Sequence, residues 1–210
     1  MGVKVIKRSP DYAKALGTGL APAMKKAAMY LQSSVNKKIN ADIMPPNAPL
    51  TQEVKQGSQT LRDNGDLMKS IAPHSGDLWA DASTNLKYAR IQQEGGTIRP
   101  KNAKALYIPA DAKTRTLMRS YGARTPRSLI NAMKSDYSFF KVGRVFFAHK
   151  KGKTLKSGKE GKQGEAFALF VISKSVKIPP RPFLYIDEKD ETYLKKLIQD
   201  GIMNALKGGG

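Results

Sequence analysis

Apolar residues recur every three or four positions from Tyr12 through Leu16, Leu20, Met24, Ala28, Leu31, Val35 and Ile39 to Ile43. An α-helix gathers that spacing on one face, so the pattern predicts a long N-terminal helix. Ser9-Pro10 offers a cap and a first-turn proline. Gly17, Gly19 and Pro22 are expected to loosen the early part, leaving a firm helix from about Ala23, and Pro45-Pro46 ends it. At the other end of the chain Tyr193, Leu194, Leu197, Ile198, Ile202 and Leu206 repeat the period. Asp187, Glu188, Asp190 and Glu191 stand at the end of that helix where its dipole favours carboxylates, and Lys207 stands near the other.

Between these helices the period shortens. Leu67 to Ile71 reads as a short helix or strand, and Asp77 to Ala82 as a strand carrying Trp79 on one face. Tyr88, Ala89, Ile91 and Gln92 fit one or two helical turns stopped at Gly95-Gly96, and Ala105 to Pro109 fits a strand. Thr125-Pro126 opens a short helix over 127–134. Phe139 to Ala148 and Ala166 to Lys177 read as the two strands of a hairpin, the second with Phe167, Leu169 and Val171 on one face and Phe170 and Ile172 on the other. The whole predicts an α+β fold, its long N-terminal and C-terminal helices packed on a mostly antiparallel sheet.

The chain has 210 residues, 40% hydrophobic and 26% charged, which supports a single folded domain over 1–210. Residues 45–66, rich in Pro, Asn, Gln and Gly, are expected as an extended loop closing on the turn Asp63-Asn64-Gly65-Asp66. Residues 150–164, rich in Lys and Gly, are expected as a flexible basic hairpin tip, and 208–210 as a frayed tail.

Charge adds more than composition does. The 37 Lys and Arg against 17 Asp and Glu leave +20, a field that attracts nucleic acid or an acidic protein face. Lys150, Lys151, Lys153, Lys156, Lys159 and Lys162, with only Glu160 among them, are the candidate contacts for nonspecific phosphate or an acidic partner. Phe139, Phe140, Phe146 and Phe147 beside Arg144 offer only part of a base-stacking sheet. Neighbouring rings in a strand face opposite ways, so one of each pair is expected in the core and one in an interface. Without cysteine there are no disulfides, thiolate metal sites or thiol nucleophiles. No apolar run reaches membrane-spanning length, so a soluble chain without a membrane partner is expected.

Little supports catalysis. His74 and His149 are the only histidines, which leaves a zinc site without its ligands, and no metal or cofactor is expected. Ser70, His74 and Asp77 make a relay only on paper, since no nucleophile elbow surrounds the serine. Gly152-Lys153-Thr154 copies the end of a phosphate loop but has Phe147 where the first glycine belongs. The pairs Asp63/Asp66 and Asp77/Asp81 leave a metal-dependent nuclease as a minor alternative, behind a free nonspecific nucleic-acid-binding protein.

Three stretches, in order, resemble the phage virion morphogenesis, or tail completion, proteins. The first is 61–71, with Asp63, Gly65, Leu67 and Ser70; the second is 88–96, with Tyr88, Ala89 and Gly95. The third is Ile178-Pro179-Pro180-Arg181-Pro182-Phe183-Leu184, and the insertion around 110–165 departs from the compact members. The resemblance implies a non-enzymatic virion protein at the neck or tail, assembled in the bacterial host cytoplasm. It implies a homo-oligomeric ring at the head-tail junction or the top of the tail, around the DNA channel, with other neck, connector and tail proteins as partners. The matched positions are structural, and Arg181 is expected to pair with an acid, its own or a neighbour's.

Overall fold

The structure is a computed structural model that describes residues 5–6, 13–55, 59–152 and 164–207. In chain order the elements begin β1 (Val5–Ile6), α1 (Ala13–Asn40), α2 (Pro49–Val54), α3 (Asp66–Lys69), β2 (Ala72–Ser75), β3 (Trp79–Ser83), α4 (Ala89–Glu94) and β4 (Gly96–Ile98). They continue β5 (Leu106–Pro109), α5 (Ala112–Ser120), α6 (Pro126–Met133), β6 (Tyr137–Val142), β7 (Val145–Lys150), β8 (Ala166–Ser173), β9 (Val176–Ile178) and α7 (Glu188–Lys207). Helices at both ends and antiparallel strands between them make the α+β class.

The chain, expected as one domain, divides into two compact units. The first comprises Met1–Pro46, Gln59–Gly96 and Ile178–Gly210; the second comprises Asn47–Ser58 and Thr97–Lys177. β4 and β9, where the chain passes between the units, form a two-stranded sheet.

In the first unit the predicted helical face is the core. Leu20, Met24, Ala28, Leu31, Val35 and Ile39 are all buried, and from Met24 onward they join one core with Leu67, Ile71, Ala80, Ala82, Phe183 and Leu194. Each Leu, Ile, Val, Met or Phe among them contributes about 1.5–3 kcal/mol when fully removed from water, and each Ala much less. The antiparallel sheet β1-β3-β2 and helix α7 both pack on α1. Contrary to expectation, α1 runs unbroken through Pro22. Pro22 itself is exposed, so its ring does not crowd the buried face of the helix. Its glycine serves close packing instead: a Cβ on Gly19 would lie 2.5 Å from the Ala205 Cβ, and one on Gly201 of α7 would lie 2.6 Å from the Ala23 Cβ.

In the second unit the sheet is β5-β8-β7-β6, antiparallel throughout. Phe139 to Ala148 is not one strand: it folds at Val142-Gly143-Arg144, with Gly143 at φ +56°, into the hairpin β6–β7. β8 then pairs with β7. Phe147 faces Ala168 while Phe146 faces Phe170, so Leu169 is an extra residue in β8. This bulge buries Leu169 and Phe170 alike, against the strict alternation expected. Leu129 and Met133 of α6 cover them. The Phe pairs do divide: Phe139 and Phe146 pack against this core, while Phe140, 40% exposed, stacks on Phe147.

The segment 45–66 is less extended than expected, because Pro49 starts the six-residue helix α2. Of the basic tip, Lys153, Lys156, Lys159 and Lys162 lie outside the described residues, as do Ser9-Pro10 and the tail 208–210.

Candidate functional site

The residues singled out for their resemblance all fall in the first unit, where the second and third stretches interlock. Tyr88 precedes α4, whose Ala89 is buried, and the helix stops at Gly95 with φ +72°. Gly95 has no room for a side chain: a Cβ there would lie 2.7 Å from the Pro180 nitrogen and 3.0 Å from the Ile178 carbonyl oxygen. The Gln92 carbonyl accepts the Arg181 N–H at 2.8 Å. Gln93 then fills the role of an extra strand. Its Oε1 accepts the N–H groups of Phe183 and Leu184, both at 2.9 Å, and its Nε2 donates to the Leu184 carbonyl at 3.1 Å. Phe183 is fully buried, so these backbone groups have no access to compensating water.

Arg181 extends the clasp to the end of α1. Its Nε donates to the Pro45 carbonyl at 2.8 Å and its terminal nitrogen to the Pro46 carbonyl at 2.9 Å. Within its own chain these two carbonyl oxygens, and not an acid, are the partners of the guanidinium. Burial lowers the guanidinium pKa from its ordinary value, but carbonyl dipoles still hold the charge. The Pro46 end is secured near its return as well: Gln59 donates to the Asn40 carbonyl, Arg62 to the Asn40 side chain, and Thr60 to Asp42. The second unit is thus an insertion in two pieces, and the first unit ties down the chain where each piece leaves and re-enters.

The first stretch turns at Gly65, φ +80°, and starts α3, which buries Leu67. The Ser70 hydroxyl donates to the Leu67 carbonyl and pairs with the Thr84 hydroxyl, each at 2.7 Å. Ser70 is therefore not poised towards His74. The His74 Nδ1 instead meets Asp81 at 2.9 Å and Ser83 at 3.2 Å on the exposed strand pair β2–β3, so the paper relay is not assembled. Asp63 and Asp66 lie by Tyr88, where partial burial and their charges raise the phenol pKa. Among the described residues no three His, Asp or Glu side chains are grouped to hold a metal ion.

The most perturbed groups lie between α1 and the start of α7. Lys38 donates to Asp190 at 2.5 Å and to the Tyr185 carbonyl at 2.8 Å, and its ammonium sits 4.1 Å from the Tyr185 ring centre. Ser34 donates to Asp190 at 2.7 Å. Asp187 and Asp190 accept each other's backbone N–H across the first turn, capping α7. Tyr30 stacks on Tyr193, and burial with the neighbouring Asp190 pushes its pKa up to about 12. In this network Lys38 faces both Asp187 and Asp190 and ties α1 to the start of α7, the arrangement of a structural joint.

The positive charge is uneven. The second unit holds 20 of the 37 basic residues but 5 of the 17 acidic ones, so it carries +15 of the net +20. Lys150 and Lys151 of the tip are described; the Lys151 ammonium is held by the Lys134 carbonyl at 2.9 Å. Beyond the Lys run, α5, α6 and the turn between them carry exposed cations: Lys113, Arg119, Arg124 and Arg127. Their signal was present: residues 112–135 contain six Lys or Arg and no Asp or Glu.

Residues 3–125 match the model of the phage virion morphogenesis family. The match takes in the first two stretches and stops short of the third, which the first unit nonetheless binds to the second stretch. No curated protein and no solved structure matches the chain.

Proposed function

Because this chain belongs to the phage virion morphogenesis family, and so is a structural component of a phage virion, we propose that it forms part of a homo-oligomeric ring at the head-tail junction or the top of the tail. The ring surrounds the DNA channel and joins tail to head, in contact with other neck, connector and tail proteins. It acts without catalysis.

The observation that carries this reading is the clasp: the residues that carry the resemblance support one another's backbone instead of a substrate. A scaffold of that kind suits a subunit whose work is holding position. The charge of the basic second unit suits DNA in the channel or an acidic neighbour, with Lys150, Lys151, Lys153, Lys156, Lys159 and Lys162 among its contacts. The alternative of a free nonspecific nucleic-acid-binding protein is favoured by the same +15 and separated from ring assembly by where the protein resides.

Quantitative mass spectrometry of gradient-purified virions tests this. The chain is expected in several copies per particle, at a fixed ratio to the tail proteins. Its absence from mature virions would overturn the proposal.

A further inference from the structure

The layer that covers the second unit's sheet ends in a corner of fixed geometry. α5 closes with the N–H of Gly122 on the Arg119 carbonyl and that of Ala123 on the Met118 carbonyl, with Gly122 at φ +59°. This is the paired-bond stop that a left-handed glycine permits. Ala123 packs into the core, and Thr125 at once caps α6, exchanging hydrogen bonds with Ser128. Arg119, Tyr121, Arg124 and Arg127 are exposed around this corner. Asp111 before it and Asp136 after it are the flanking carboxylates in sequence.

We propose that the α5–α6 corner is a sequence-nonspecific contact for the phosphate backbone of duplex DNA. Guanidinium forks match phosphate oxygens in pairs, and Arg119, Arg124 and Arg127 supply three of them on a frame that does not have to be ordered on binding. Tyr121, 41% exposed, adds a hydroxyl donor at the same corner. Thr125 already occupies the Ser128 amide, so the side chains, not the helix end, make the contact. Nothing here reads base edges, so the corner positions and does not specify. Its lining of a DNA channel rests on the proposed ring; binding by the isolated chain does not, and the two can fail separately.

The test is fluorescence anisotropy of a short mixed-sequence duplex with the full chain at several salt concentrations. The variant Arg119→Gln/Arg124→Gln/Arg127→Gln should lose about tenfold or more in affinity at low salt, and its log-log salt slope should shrink by about 2–3, near 0.9 per lost phosphate contact. Lys25→Gln/Lys26→Gln/Lys196→Gln removes the same charge from exposed positions of the first unit and should change affinity about twofold or less. Arg124→Glu alone gives the same reading should the triple variant lose its cooperative melt. A chain lacking 153–163 should keep binding that the arginine changes then abolish. Equal losses from the two triple variants would overturn the proposal, as would polyglutamate competing as well as DNA, which would mark the corner as a dock for acidic protein.

Discussion

The Gln93 side chain accepts the backbone N–H of Phe183 at 2.9 Å, although 90 residues separate them. That amide, with the Gln92 carbonyl beside it, holds two of the three resembling stretches together and treats a passing chain as a strand treats its neighbour.

Replacing it should therefore be costly. Gln93→Ala strands the Phe183 and Leu184 N–H groups and the Leu184 carbonyl, and is expected to lower stability by about 2–4 kcal/mol, since each buried group left unpaired costs about 1–3 kcal/mol. Urea unfolding checks this. A loss under about 0.5 kcal/mol would mean that water reaches these groups.

Two glycines with positive φ should behave differently. Gly143→Ala meets nothing within 4 Å and should cost about 1 kcal/mol for its left-handed backbone alone. Gly95→Ala adds contact with the Pro180 and Ile178 backbone and should cost about 3 kcal/mol or more. Thermal unfolding of the two variants gives the ordering.

The joint of α1 with α7 predicts a pH signature. Burial pulls the Asp190 pKa upward, but the hydrogen bonds from Lys38, Ser34, the Asp187 amide and Tyr30 outweigh it, and the result lies below the ordinary 3.8. A depressed folded pKa gives stability that is present above 3.8 and lost as pH falls through the lower folded value. Asp190→Asn should flatten that acid limb. Lys38→Met, which leaves Asp190 buried without its cation, should cost about 3–5 kcal/mol at neutral pH.

Tyr30 should act at the other extreme. Its folded pKa, raised from 10.0 to about 12, gives stability present below 10 and lost as pH rises through about 12. In a spectrophotometric titration of the folded chain one phenol should ionise near 12, and Tyr30→Phe should remove it. A titration unchanged by Tyr30→Phe would contradict the assignment.

What was legible in the sequence was mostly local. Thr125 and Pro126 announce α6 because cap and first-turn proline act within one turn. The apolar spacing of Leu20 to Ile39 predicts the face that is buried. Pro22 misleads, because helix propensity is a weak local preference that the packing of the rest of α1 overrides. The extra residue Leu169 in β8 leaves no trace in an alternating apolar run. α2, six residues within a Pro- and Asn-rich segment, is too short to show a period. The division into two units was hidden because the second is inserted in two pieces, and the clasp at Gly95, Gln93 and Arg181 joins residues whose separation no window spans. Resemblance found these residues; only the fold shows what they hold.

Whether the chain is a structural subunit of the virion neck or tail is decided by an electron-microscopy density map of the assembled particle. A closed ring of copies of this chain is expected at the head-tail junction or the top of the tail, around the DNA path. A map whose neck and tail density is fully accounted for by other proteins would contradict it.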